Sequence, residues 1–222
     1  MSRFMVALFV CCLLIATSVS GQTNLFEKQN LDDWDFYVVE EGVKVGDVFS
    51  FANNGRLLRC TGKPFGYLAT KESYKNFKFS VQWRWPEGVE PTNSGVFLGI
   101  TDQPKGSFLP KAFEVQLRHK NAGDIWAFHG RTLTDSADRL RNVENATIGK
   151  FSGVNKILDR ELEPGQWNTM DILYNEGLIV VVVNGRIVNW TTGAEPVAGR
   201  IGLQSEGGPI EFRNAILTPL QQ

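Results

Sequence analysis

The sequence predicts an all-β protein, two antiparallel sheets stacked as a sandwich around one core. Three observations predict it. The 222 residues include 22 Gly, 15 Phe and 6 Trp, a mixture that favours turns and strands over helices. Apolar and polar residues alternate with a period of two along several segments, as strands with one buried face require. Short turn signals separate those segments, and no long amphipathic helix interrupts them. An apolar content of 42% with 21% charged residues belongs to a globular chain. At this length a sandwich can form a single domain.

Taken from the start, Arg3 is followed by an apolar run, Phe4 to Ala16, and then by Ser18 and Ser20 before Gly21. The run is shorter than the ~20 residues a spanning helix needs, and small residues at −3 and −1 suit a cleavage site. Residues 1–20 therefore read as a secretory signal peptide, leaving 21–222 as one exported sandwich domain with no transmembrane anchor. Cys11 and Cys12 leave with the leader. Cys60 then stands alone, a packed thiol with no disulfide partner.

The clearest strand is Asn76 to Trp85, where Phe77, Phe79, Val81, Trp83 and Trp85 alternate with polar residues. It stops at Pro86, which cannot donate to a ladder. Phe113, Val115 and Leu117 repeat the pattern, as do Ile201 with Leu203 and Ile210 with Phe212. These residues are expected to share one core. Asn175-Glu176-Gly177 and Asn184-Gly185 read as hairpin connections on either side of Leu178–Val183. That last run lacks alternation and is expected to be covered on both faces. Residues 131–165 read as a long irregular connection, with a short helix over Ser136 to Glu144 that turns Leu140 and Val143 inward.

Composition and motif also exclude functions. The formal net charge of −1 lacks the basic excess of nucleic-acid binders. Metalloprotease, Cys-x-x-Cys, serine-hydrolase, Walker and dinucleotide motifs are absent, so no nucleotide cofactor is expected. His119 and His129 alone do not make a closed zinc site. The acidic triplet of endoglucanases, carboxylates at alternating positions of one strand, is missing too. What remains is a set of polar residues on the parity opposite the core: Gln82, Arg84, Glu114, Gln116, Arg118, Gln204, Glu206, Glu211 and Arg213. Gln, Glu and Arg hydrogen-bond in fixed geometry. With Trp126 and Trp167 nearby, such a face suits a sugar, whose hydroxyls need paired partners and whose C–H faces need flat platforms. Glu114 lies mid-strand, where rigid backbone fixes a side chain. It is the expected main proton-transfer residue, with His119 as second catalytic candidate and Asn93, Gln116 and Glu206 around one pocket.

The residues then resemble a family in order along the chain. Leu25-Phe26 with Leu31-Asp32-Asp33-Trp34 is similar to the opening of the 3-keto-disaccharide hydrolase family, also described as 3-keto-glucoside lyase/hydratase. Tyr74-Lys75-Asn76-Phe77, Asn93-Ser94-Gly95-Val96, Phe113-Glu114-Val115-Gln116-Leu117 and Gly123-Asp124-Ile125-Trp126 resemble its internal motifs. Pro164-Gly165-Gln166-Trp167-Asn168 and Val183-Asn184-Gly185 follow, and Ile201 to Gly207 with Ile210 to Asn214 resemble its close. The resemblance implies a concanavalin A-like jelly-roll sandwich and an exported bacterial enzyme, periplasmic or extracellular. Its substrate would be a small carbohydrate oxidised at C3, cleaved by elimination and hydration. A C3 ketone acidifies the C2 hydrogen, so the protein must supply a base, an acid for the leaving oxygen and stabilisation of the enolate. Glu114 and His119 would serve catalysis. Asn93, Gln116, Arg118, Asp124, Trp126, Gln204 and Glu206 would bind substrate, and the resemblance leaves a divalent cation open. Many relatives carry an acid where this chain has His119. A non-catalytic carbohydrate-binding or envelope interaction domain on the same sandwich is the alternative.

Overall fold

A computed structural model describes residues 21–220, and the expected signal peptide lies outside them. In chain order the strands are β1 (Thr23–Asn24), β2 (Trp34–Val38), β3 (Phe49–Ala52), β4 (Leu57–Cys60), β5 (Gly66–Thr70), β6 (Phe77–Arg84) and β7 (Gly95–Asp102). They continue as β8 (Lys111–Gln116), β9 (Ile125–Ala127), β10 (Leu133–Thr134), β11 (Leu140–Asn145), β12 (Gly149–Val154) and β13 (Asn168–Asn175). The last are β14 (Leu178–Val183), β15 (Arg186–Thr191), β16 (Gly193–Ala194), β17 (Arg200–Ser205) and β18 (Ile210–Pro219). One helical turn, Val45–Val48, precedes β3.

Two eight-stranded sheets form the sandwich. The back sheet runs β15-β14-β13-β6-β18-β4-β3, with β1 added against β18; the front sheet runs β11-β12-β9-β8-β7-β17-β5-β2. Strands β10 and β16 make a separate pair. Every named strand pairing is antiparallel.

The period-two residues meet between the sheets as expected. Phe77, Phe79, Val81 and Trp83 of β6 pack in one buried cluster with Phe113 and Val115 of β8, Leu117, Ile201 and Leu203 of β17, and Ile210 and Phe212 of β18. Burying a large apolar side chain contributes roughly 1.5–3 kcal/mol, and this layer is the main source of stability. The hairpin turns are formed too. Asn184 and Gly185 both take positive φ, 49° and 76°, the backbone a two-residue turn needs and Asn-Gly tolerates.

Two expectations are corrected. Leu178–Val183 is covered on one face only: Ile179, Val181 and Val183 are buried, while Leu178, Val180 and Val182 are half-buried on the outside of the back sheet. β-branched residues satisfy strand propensity even where no second layer covers them. Ser136–Glu144 is not a helix. Leu140–Asn145 is an edge strand that pairs with β12, closed by a turn in which Asn145 Oδ1 accepts from the Thr147 and Ile148 backbone N–H groups. Its Leu140 and Val143, three apart, mimic helical spacing because the edge strand is largely exposed. The stretch 131–165 thus holds a hairpin rather than an irregular connection.

Candidate active site

The outer face of the front sheet carries the site. One register row crosses it: Gly202 opposite Phe97, Phe97 opposite Glu114, Glu114 opposite Trp126, Trp126 opposite Gly153. A neighbouring row sets Tyr67 opposite Gln204 and Gly95 opposite Gln116. Alternation does the rest, since Phe113 and Val115 point into the core and Glu114 and Gln116 must point the other way.

Above this face the loop from Gln103 to Pro110 folds back, held by the Tyr67 hydroxyl donating to Gln103 Oε1 (2.8 Å) and by Ser107 Oγ against His129 Nε2 (3.1 Å). It lays Phe108 and Leu109 over a second apolar cluster that includes Tyr67, Phe97, Ala112 and Phe128. The β11–β12 hairpin stands opposite, presenting Val143, Ile148 and Phe151. A cavity of about 250 Å³ opens between them, lined at one end by Asn93, Glu114, Gln116, Arg118 and Glu206. Its size is just under the ~300–1,000 Å³ usual for small-molecule sites.

The Asn93-Ser94-Gly95 turn builds the polar end. Asn93 bridges to Glu206 across the sheet and its side chain bonds the Glu206 carboxylate. Ser94 Oγ donates to the Gln204 carbonyl at 2.8 Å. Gly95 makes room: a Cβ there would overlap Glu114 Oε1 and stand 2.8 Å from Glu114 Cδ and Cγ. The Glu114 carboxyl occupies the space that any side chain at position 95 would fill. The Gln116 amide, turned so that both its ends are satisfied, donates to Glu114 Oε1 at 2.7 Å. Trp126 lies over Gly153, where a Cβ would stand 2.7 Å from its Cδ2, and packs edge-on to Phe151 at 5.5 Å.

Electrostatics separate the two carboxyls. Glu114 is 2% exposed. Burial, then the nearby Glu206 and Asp124 charges, push its pKa well above the usual carboxylate range. Glu206 is also raised by burial, but bonds from Asn93 and Gln204 and the Arg118 charge pull it back. Glu114 has no such compensating bonds or opposite charge among the causes of its shift, so its environment favours the protonated form more strongly than that of Glu206.

Not every expected residue reaches the cavity. Gln204 lies beneath it, its Nε2 donating to Glu206 Oε2 at 2.7 Å and its Oε1 buried without a partner. Asp124 lies behind Gln116, its Oδ1 taken by the Lys156 backbone N–H at 2.7 Å. His119 is not brought to Glu114. Strand β8 ends at Gln116, and the chain then turns, with the Asn121 N–H bonded to the Arg118 carbonyl. His119 has core-side parity, and its Nδ1 meets Glu161 Oε1 at 3.1 Å. That buried carboxylate also accepts from Trp85 Nε1 and the Lys120 N–H, so the cluster anchors the loop before β13. Trp167 is on the back sheet, between Arg84 and Arg213, where Glu211 pairs with Arg84 and Arg59. Phe108, Ile148 and Phe151 lie in loops and an edge hairpin, where no periodic signal marks them.

Among the described residues no three His, Cys, Asp or Glu side chains converge as a metal-ligating set. No helix among them is long and apolar enough to cross a membrane.

The fold is a concanavalin A-like sandwich of two antiparallel sheets, shared with a β-glucanase among other solved structures. The chain belongs to a particular family within it: residues 21–218 match the 3-keto-alpha-glucoside-1,2-lyase-like domain. Among solved structures, a proposed glycosyl hydrolase from Parabacteroides distasonis ATCC 8503 is 21% identical, with TM-score 0.62, covering 90% of this chain and 100% of that one. A second from that organism is 18% identical, with TM-score 0.61, covering 90% and 94%. The β-glucanase of Bacillus licheniformis shares the fold at 13% identity and TM-score 0.55, covering 92% and 100%. The carbohydrate-binding module CBM66 of Bacillus subtilis does so at 10% identity and TM-score 0.57, covering 84% and 95%. A search among curated proteins returns no match.

Proposed function

We propose that this chain is an exported bacterial enzyme that cleaves the glycosidic bond of 3-keto-glucosides by elimination and hydration. The observation that carries the reading is the pair of carboxyls in one cavity, Glu114 buried and Glu206 nearer to Arg118. In this scheme Glu206, the ionised member, takes the C2 hydrogen that the C3 ketone acidifies. The C2–H electron pair forms the C1–C2 double bond and the bond from C1 to the glycosidic oxygen breaks. Glu114 gives its proton to that oxygen, and the alcohol leaves. A 2-hydroxy-3-keto-glucal remains. Hydration reverses the roles: Glu114 takes a proton from water as it adds to C1, and Glu206 returns a proton to C2. Arg118 stabilises the enolate charge. Trp126 offers a flat platform to the sugar ring. The apolar leader with its small-residue cleavage motif supports export.

The test separates acid from base. Purified protein is given a 3-keto-glucoside and its unoxidised parent. Only the first should turn over. Glu206→Gln should lower turnover by ~10²-fold or more and suppress exchange of the C2 hydrogen with deuterium from solvent. Glu114→Gln should damage substrates with poor leaving groups far more than those with good ones. Binding without turnover in the wild type would favour the carbohydrate-binding alternative and sink this reading.

A further inference from the structure

Resting on that reading, we infer that the leaving-group end of the cavity is built for a flat apolar aglycone rather than for a second sugar. The cavity is divided by chemistry. Its polar lining comes from the Asn93–Glu206 bridge and the adjoining Glu114 and Gln116 positions of β8, with Arg118 beyond them. The rest of its wall is Trp126, whose indole N–H is its single donor, and Phe108, Leu109, Phe128, Val143, Ile148 and Phe151, whose side chains carry no hydrogen-bonding atom. Leu109 and Phe128 are buried, whereas Phe108, Ile148 and Phe151 are half-buried and present surface to the opening. Phe151 is held in place by Trp126 at 5.5 Å and Phe128 at 5.3 Å between ring centroids. Phe108 is braced by Phe65 at 5.2 Å.

Aromatic walls also serve sugars, so the polar inventory decides. A second hexose would bring several hydroxyls, and each one pressed against this wall would lose its water without gaining a partner. A phenyl-type group has no such cost and gains ring-to-ring contact with Phe151 and Phe108. Within this cavity, apart from the Trp126 N–H, the groups able to satisfy hydroxyls are those of Asn93, Glu114, Gln116, Arg118 and Glu206.

The experiment compares three 3-keto-glucosides: benzyl, methyl and one in which the leaving group is a second glucose. Benzyl alcohol and a sugar hydroxyl are leaving groups of similar basicity, so chemistry is held nearly level. The expected kcat/KM for the benzyl substrate is about tenfold or more above that for the disaccharide. Phe151→Ala should cut that ratio by at least about fivefold. Ile148→Ser, in the half-exposed hairpin turn, should lower it in the same direction if the first variant folds poorly. Equal or better use of the disaccharide, or an unchanged ratio in the folded variants, would overturn the subsite while leaving the proposed activity intact. No turnover of any of the three would remove the activity itself, and the subsite with it.

Discussion

Gly95→Ala isolates the placement of Glu114 from its chemistry. The backbone at Gly95 is outside the positive-φ region, so alanine imposes no backbone strain. Its methyl group, however, would sit 2.8 Å from Glu114 Cδ and Cγ and overlap Oε1, where ordinary contacts begin at 3.4 Å. The carboxyl must retreat by about 1 Å or swing out of the slot, a displacement of the order that costs ~10²-fold in rate. Stability should change far less. Loss of glycine's unfolded-state freedom contributes about 0.4–1 kcal/mol, against roughly 1–3 kcal/mol of overpacking. At about 2–4 °C per kcal/mol for a domain of this size, Tm should fall by no more than about 10 °C. The assay is kcat/KM on a 3-keto-glucoside beside a thermal melt. A folded Gly95→Ala variant with turnover within about threefold of wild type would refute the argument that the slot positions the proton donor.

Other outcomes follow from the same structure. Burial raises the Glu114 pKa in the folded chain, so the folded state holds more protons than the unfolded one once pH exceeds the ordinary glutamate value of ~4.3. Wild-type stability should therefore fall as pH rises from there toward the raised value. Glu114→Gln removes that loss, so urea melts should show the variant gaining on wild type at pH 8 relative to pH 4; an equal gap at both would refute the shift. Trp83→Ala, in the centre of the core with no exposure, should cost about 3–5 kcal/mol by the same melts. His119→Ala should leave the C2-exchange rate near wild type, because its ring bonds Glu161 rather than a cavity group; a 10²-fold loss would return it to the chemistry. Glu161→Ala strands the buried Trp85 Nε1 and should cost about 1–3 kcal/mol.

The core was legible because a period of two needs only the order of residues: Phe79, Val81 and Trp83 announce their face without reference to any partner. The same parity exposed Glu114, Gln116 and Glu206 as its complement. The reading failed at His119 because nearness in sequence outweighed parity: its odd position belongs to the side of Val115 and Leu117, away from Glu114, and β8 ends three residues before it. The wall of the cavity was illegible for a related reason. Phe108 lies in a loop, Ile148 in a turn and Phe151 on an edge hairpin, so each touches the site through tertiary folding alone. Gly95 was visible as part of a motif, but its reason, the carboxyl that fills its missing side chain, is a contact across two strands.

The two carboxyls and the apolar wall belong to parts of the fold with different tolerance for change. Glu114 rises from β8, deep within the front sheet, whereas Ile148 and Phe151 ride on the β11–β12 hairpin at its margin. A residue added or removed between Asn145 and Gly149 alters an exposed turn and breaks no central ladder. A change of length there would reshape the Ile148 and Phe151 side of the cavity and leave Glu114 on its central strand. On the proposed reading, part of the leaving-group wall and the two carboxyls would then sit on stretches of chain that can change separately.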